Sequence, residues 1–163
     1  MLTITFIPEN GSFTSAAQDY SNIWALDGDR ITAAIESAAQ LTFKETAIEA
    51  IVFEGKSQSS PMKLRASYDN DTKKATIVHE LLHRISFEYM LDLPVKGEDL
   101  SLGLHKQIYL LLYDIWVDLY GKQFADEQVE VEPQRVSIYR AAWQWALGLS
   151  GSERKAKFRE LSN

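Results

Sequence analysis

The sequence predicts an α+β protein with strands mainly in its first half and helices in its second. Residues 2–7 alternate threonine with bulky apolar residues, as half-buried strands do. From residue 72 onward, apolar residues recur every three or four positions over long stretches, which indicates amphipathic helices. We therefore expect a small mixed or antiparallel sheet in residues 1–70, with one helix, packed on a helix from a mainly helical segment 71–163.

The first half contains three predicted strands and one predicted helix. The strands cover residues 2–7, 47–54 and 62–68, and the last alternates apolar and polar side chains throughout. The predicted helix, residues 30–40, follows an Asp-Gly-Asp sequence at 27–29 that provides an N-cap.

The second half contains helices joined by short breaks. A helix is predicted over residues 72–90, capped by the Asp-Asn-Asp sequence at 69–71, and another over 100–120, ending at Gly121. Residues 122–133 are acidic and are predicted to be an irregular, solvated segment with at most a short helix. Residues 134–149 again show helical spacing, and the charged tail adds a last short helix.

Length and composition exclude several classes of protein. A chain of 163 residues is long enough for one domain with its own core. It contains no cysteine, which excludes disulfides, thiolate zinc sites and a cysteine nucleophile. The formal charge of −6 argues against a nucleic-acid partner, because binding to phosphates favours a basic surface.

The apolar segments predict neither a signal peptide nor a membrane span. Residues 1–7 lack a basic start and are followed by Pro8. The longest apolar run, residues 108–117, is too short for a bilayer and is interrupted by Asp114. We expect a cytoplasmic protein without a membrane partner.

All three histidines of the chain fit one metal site. His79 and His83 stand four residues apart in a predicted helix, so both rings lie on one face within reach of a single ion. Glu80 follows the first of them, where it can reach a water molecule on that ion. The motif HExxH is typical of a zinc (Zn2+) site in which Glu80 is the general base for hydrolysis.

This motif resembles the active-site helix of zincin metallopeptidases. The resemblance is to a minimal member, gluzincin-like or SprT-like, of the kind found among small bacterial and phage-encoded peptidases. It implies a sheet packed on the motif helix and an edge strand that binds an extended peptide; residues 62–68 are the candidate for that strand. It also implies a protein or peptide substrate.

The third metal ligand is expected on the next helix. Metzincins continue their motif as HExxHxxGxxH, which this chain lacks, whereas SprT-like proteases use a more distant histidine. His105 fits that pattern and lies on the apolar face of the predicted helix 100–120. Glu98, Asp99 and Asp114 remain alternatives, although Asp114 is about 180° from His105 on that helix.

A tyrosine that donates to the reacting oxyanion is common in zincins. Tyr68 and Tyr109 are the candidates, and Tyr113 is a further alternative, although each is also explained as a packing aromatic. The expected function is therefore a zinc-dependent peptidase. The competing hypotheses are a non-catalytic binding or regulatory module that keeps the scaffold and its metal, and a helical interaction protein without metal.

Overall fold

The computed structural model describes residues 2–91 and 99–160 and has the expected α+β composition. Its strands all precede residue 66, and helices dominate the remainder. In chain order the elements are β1 (Thr3–Pro8), α1 (Thr14–Ala39), β2 (Ala47–Phe53), β3 (Met62–Arg65), α2 (Asn70–Glu88), α3 (Leu100–Tyr120), α4 (Lys122–Arg135), α5 (Ile138–Leu147) and α6 (Gly151–Glu160).

The sheet is parallel throughout, in the order β1-β2-β3, so the expectation of a mixed or antiparallel sheet is wrong. Helix α1 provides the crossover between β1 and β2. No helix is needed before β3, because its first residue pairs with Ala50, only three residues back from the end of β2. That distance is roughly 10 Å, and residues 54–61, here named the return segment, span it.

Helix α1 begins at Thr14, sixteen residues before the predicted start at residue 30. The helix runs through Asp27, Gly28 and Asp29, since buried residues such as Tyr20 and Ile23 hold its first half on the core. Gly28 is itself buried, and a Cβ atom there would lie 2.8 Å from the ring of Trp24. Tertiary packing therefore outweighs the local capping signal.

Helix α2 lies at the centre of the molecule and contacts α1, α3, α4 and β3. Asp69 caps it by accepting a hydrogen bond from the backbone N–H of Thr72 at 2.7 Å. Its apolar residues Ile77, Val78, Leu81, Leu82 and Ile85 are 0% exposed. This burial fixes the rotation of the helix and therefore the direction of its histidine face.

Helix α3 has the predicted bounds and follows the N-cap Asp99, which accepts a hydrogen bond from the N–H of Leu102. It ends at Gly121, whose φ of +88° favours glycine. No helix in ranges 2–91 and 99–160 is long and apolar enough to cross a membrane.

Helix α4 replaces the irregular segment predicted for residues 122–133. Its inward positions carry Ala125, Gln128 and Glu132, so two of the three buried residues are polar. A helix whose inner face is polar gives no hydrophobic period for sequence analysis to detect. Glu132 is fully buried, and the interpretation of this stretch as a solvated loop is therefore wrong.

Candidate metal centre and cleft

The structure brings the three histidines together between α2 and α3. Their ring centroids are separated by 5.1 Å (His79–His83), 5.3 Å (His79–His105) and 4.9 Å (His83–His105). One potential ligand nitrogen from each ring lies within 4.8 Å of the others, and all three residues are buried. Nitrogens bound to one tetrahedral zinc ion are roughly 3.3 Å apart, so a small inward movement of the rings would fit the ion.

Hydrogen bonds to two of the rings determine which nitrogen faces the centre. Nδ1 of His79 is 2.7 Å from Oε1 of Glu132, and Nδ1 of His105 is 2.6 Å from the carbonyl oxygen of Ser101. Because a carboxylate and a carbonyl accept, each Nδ1 carries the hydrogen and Nε2 keeps its lone pair. Partners of this kind orient histidines that bind metals in known metal sites.

Glu132 is the centre of a buried polar network behind His79. Its Oε2 accepts hydrogen bonds from the hydroxyl of Tyr109 at 2.7 Å and from the indole nitrogen of Trp143 at 3.0 Å. Burial alone would raise the pKa of Glu132, but His79, followed by Arg135 and Tyr109, lowers it. The residue is therefore an anion, and its three partners offset the cost of removing that charge from water.

Electrostatics keep two of the histidines neutral. Burial, followed by the charges of the other two histidines, holds the pKa of His83 well below its ordinary value. Burial and then His79 lower the pKa of His105 to about 4. Burial alone would lower the pKa of His79 as well, but the adjacent Glu132 carboxylate raises it. A metal ion bound to one nitrogen of each ring would compete with protons for the same lone pairs.

Glu80 lies beside the histidines, and its carboxylate has no hydrogen-bond partner among residues 2–91 and 99–160. Burial raises its pKa to about 7, with His79 opposing and Glu132 adding to this rise. Its side chain lines two neighbouring cavities. An unengaged carboxyl group next to a candidate metal centre has the position that a general base requires.

The two cavities meet at His79 and Glu80 and together form a cleft. The Arg135 cavity has a volume of about 350 Å³ and is also lined by Tyr68, Thr76 and Arg135. The His105 cavity has a volume of about 270 Å³ and is also lined by His83, Phe87 and His105. Lys56, Ser57 and Tyr139 line both cavities, so the return segment and α5 form opposite walls of one cleft.

The strand expected to bind an extended peptide along its edge is β3. Residues of the return segment already cover that edge. The backbone N–H and C=O of Lys63 in β3 are hydrogen bonded to Gln58, and the N–H of Arg65 donates to the hydroxyl of Ser57. The strand itself is shorter than predicted and ends at Arg65. The backbone next to the cleft therefore belongs to the return segment.

The alternative third ligands do not join the histidines. Asp99 is exposed and caps α3, and Asp114 pairs with Arg154 at 2.6 Å. Glu98 lies outside the described residues, as does the rest of the connection 92–98. Among the described residues, the group close enough to hold an ion consists of His79, His83 and His105.

The three candidate tyrosines occupy different places. Tyr109 is buried and its hydroxyl is used by Glu132, so it holds the network behind His79. Tyr68 lines the Arg135 cavity, with its ring 4.7 Å from the guanidinium carbon of Arg135. Tyr113 donates a hydrogen bond to Asp126 on an exposed surface, outside the two cavities.

Sequence analysis missed three residues of this region: Glu132, Arg135 and Tyr139. The ring centroid of Tyr139 is 4.3 Å from that of His105, and its hydroxyl has no hydrogen-bond partner in the part of the chain that the structure describes. The only signal for Tyr139 was its helical spacing with Ala142 and Trp143, which by itself indicates packing. Glu132 and Arg135 were hidden by the acidic composition around them.

Comparison with known proteins does not assign the chain to a family. A scan against protein-family models and searches of curated proteins and solved structures gave no match. The function is therefore inferred from the histidine cluster, Glu80 and the cleft.

Proposed function

We propose that this protein is a zinc-dependent peptidase with His79, His83 and His105 as ligands and Glu80 as general base. The observation that carries the proposal is the convergence of three buried imidazoles from two helices next to an unengaged carboxyl group in a cleft. Three neutral nitrogen ligands are a common set for catalytic zinc and leave one coordination position open. The HExxH resemblance supports the same assignment.

The roles of the residues follow from their positions. When bound, zinc polarises the carbonyl that is attacked and lowers the pKa of water toward ~7. Glu80 accepts a proton from the attacking water and passes it to the leaving amine. Tyr139 has an unengaged hydroxyl on the opposite wall and donates to the oxyanion that develops. Glu132 holds the ring of His79 through Nδ1.

Metal content is the first test, and it must be measured on protein purified without a histidine tag. We expect about one zinc ion per chain, and we expect His105→Ala to reduce occupancy strongly. Asp99→Ser is the matched control, because serine preserves the N-cap of α3 while removing the carboxylate. Zinc that survives in His105→Ala but is lost in Asp99→Ser would contradict the assigned ligand set.

Activity is the second test, with hydrolysis of a defined peptide mixture followed by mass spectrometry. Glu80→Gln should keep zinc and lose at least about a hundredfold in rate, because glutamine cannot accept the proton. Glu130→Gln, an exposed change on α4, serves as control. Wild-type turnover by Glu80→Gln would refute the mechanism, and zinc binding without turnover by any peptide would favour a non-catalytic module.

A further inference from the structure

Arg135 has hydrogen-bond donors that nothing in the described chain uses. It is the last residue of α4 and lines the Arg135 cavity together with His79 and Glu80. Its Nη1 donates a long hydrogen bond of 3.3 Å to the hydroxyl of Thr76. Its Nε and Nη2 are buried and have no hydrogen-bond partner. A guanidinium with buried, unused donors is costly unless a ligand supplies the acceptors.

Neighbouring groups hold this guanidinium in place without neutralising it. The ring of Tyr68 lies against it, 4.7 Å from the guanidinium carbon. Within the described ranges, no carboxylate oxygen is within 4.0 Å of an Arg135 nitrogen. The adjacent Glu132 is already shared among His79, Tyr109 and Trp143. The cation is thus positioned for an anion that comes from outside the protein.

The other charges around the Arg135 cavity add to this preference. Arg65 and Glu54 form an ion pair of 2.6 Å, so their charges offset each other. Lys56 is exposed on the return segment, lines the same cavity and forms no ion pair with a described residue. Glu80 is the remaining acid in the lining. Arg135 and Lys56 therefore leave the cavity with an excess of unpaired positive charge.

We propose that Arg135, assisted by Lys56, binds a carboxylate of the substrate in the Arg135 cavity, next to the bond that is cut. The planar fork of arginine matches the two oxygens of a carboxylate. The carboxylate belongs either to the C-terminus of a short peptide or to an aspartate or glutamate side chain. This inference names a substrate class for the cleft and rests on the proposed peptidase function.

Binding of uncut peptides tests the proposal directly. The zinc-loaded Glu80→Gln protein is titrated calorimetrically with tetra-alanine that is acetylated at its N-terminus and carries either a free C-terminal carboxylate or an amide. A second pair is amidated and contains glutamate or glutamine in place of one alanine. We expect one carboxylate peptide to bind about tenfold to a hundredfold more tightly than its neutral partner. The pair that shows the difference identifies the source of the carboxylate.

Variants show whether Arg135 is responsible. Arg135→Gln should remove the preference and Arg135→Lys should retain part of it, because lysine keeps the charge but not the fork. Arg140→Gln, an exposed change on α5, should leave it intact. The preference is a ratio measured within one protein, so a change in stability does not imitate its loss. A preference that survives in Arg135→Gln belongs to another group, such as the metal, and overturns the proposal.

Two further outcomes are measured on the unsubstituted chain, so they do not depend on the folding of a variant. If it hydrolyses peptides but does not discriminate within either pair, the carboxylate site is refuted and the peptidase function stands. If the metal-free chain binds one carboxylate peptide more tightly than its neutral partner but the zinc-loaded chain never hydrolyses a peptide, the carboxylate site stands and the peptidase function fails.

Discussion

At the scale of single residues, Glu132 explains how the buried histidine cluster beside the cleft is held in place. Its two oxygens accept from His79, Tyr109 and Trp143, which are residues of three helices. A carboxylate behind a metal-binding histidine fixes the ring and increases its basicity. Nothing in the local sequence around residue 132 reveals this, because the partners are up to 53 positions away.

Replacing Glu132 with glutamine should weaken zinc binding by about tenfold to a hundredfold. Glutamine has the same shape as glutamate, but its NH2 group replaces one of the two accepting oxygens. It therefore faces a hydrogen-bond donor and cannot accept from it. Competition with a coloured chelator measures the affinity. Asp126→Asn is the control on the same helix, since Asp126 is exposed and pairs with Lys122. Equal zinc affinity in wild type and Glu132→Gln would show that the network serves folding alone.

Removing the hydroxyl of Tyr139 should affect rate and leave zinc content unchanged. If this hydroxyl donates to the oxyanion, Tyr139→Phe lowers kcat by about a hundredfold, with a much smaller change in KM. Tyr113→Phe removes a hydroxyl outside the cleft and should leave kcat unchanged. A Tyr139→Phe enzyme with normal kcat would remove Tyr139 from the mechanism.

At the scale of elements, the positions of the strands and the helix ends with strong caps were predictable, whereas the parallel direction of the strands was not. Asp69 and Gly121 mark their helix ends through local chemistry that a sequence displays. The direction of β3 depends instead on how far the return segment must run, which no local pattern records. The start of α1 was missed because Gly28 serves close packing against Trp24.

Arg84 links helix α2 to two other parts of the chain. In the sequence it is only a charged residue directly after His83. Its guanidinium binds both carboxylate oxygens of Glu45, and its Nη1 donates to the carbonyl of Ser59. The side chain of Arg84 is 13% exposed, whereas that of Glu45 is 38% exposed. Helix α2 is thereby attached both to the segment before β2 and to the return segment.

Arg84→Met should lower the free energy of unfolding by about 1–2 kcal/mol, because it leaves the Ser59 carbonyl and the Glu45 carboxylate without this donor. Urea unfolding of Arg84→Met, Glu45→Gln and the double variant should give a coupling of about 1 kcal/mol. The more exposed pair Lys74–Asp71 should couple more weakly. A coupling of zero for Arg84 and Glu45 would mean that the contact contributes only packing.

At the scale of the whole molecule, the histidine cluster joins α2 to α3. A ligand that binds the folded chain alone stabilises it by about 2.7 kcal/mol when present at a hundred times its Kd. Removing zinc with a chelator should therefore lower Tm by roughly 5–10 °C in a domain of this size. Scanning calorimetry of wild type and His105→Ala tests this, and a chelator effect of equal size in both proteins would contradict it.

The core of the proposed site was predictable because it depends on rare residues at short, regular spacing. His79, Glu80 and His83 follow from one helical turn, and His105 follows from the face of the next helix. The other wall was not predictable. Arg135 and Tyr139 reach the cleft only because α4 packs against α2 and α3, and α5 packs against α3. Such placement depends on tertiary contacts between segments with no distinctive local pattern.

The return segment has two tasks. It connects two neighbouring strands of the sheet, and it also forms a wall of the cleft through Lys56 and Ser57. Ser57, Gln58 and Ser59 are hydrogen bonded to β3 and α2, so these residues belong to the scaffold. Lys56 lies just before them and is exposed. Substitutions of Lys56 would therefore reshape the opening while the scaffold stays the same, which makes this position the natural place to retune selectivity.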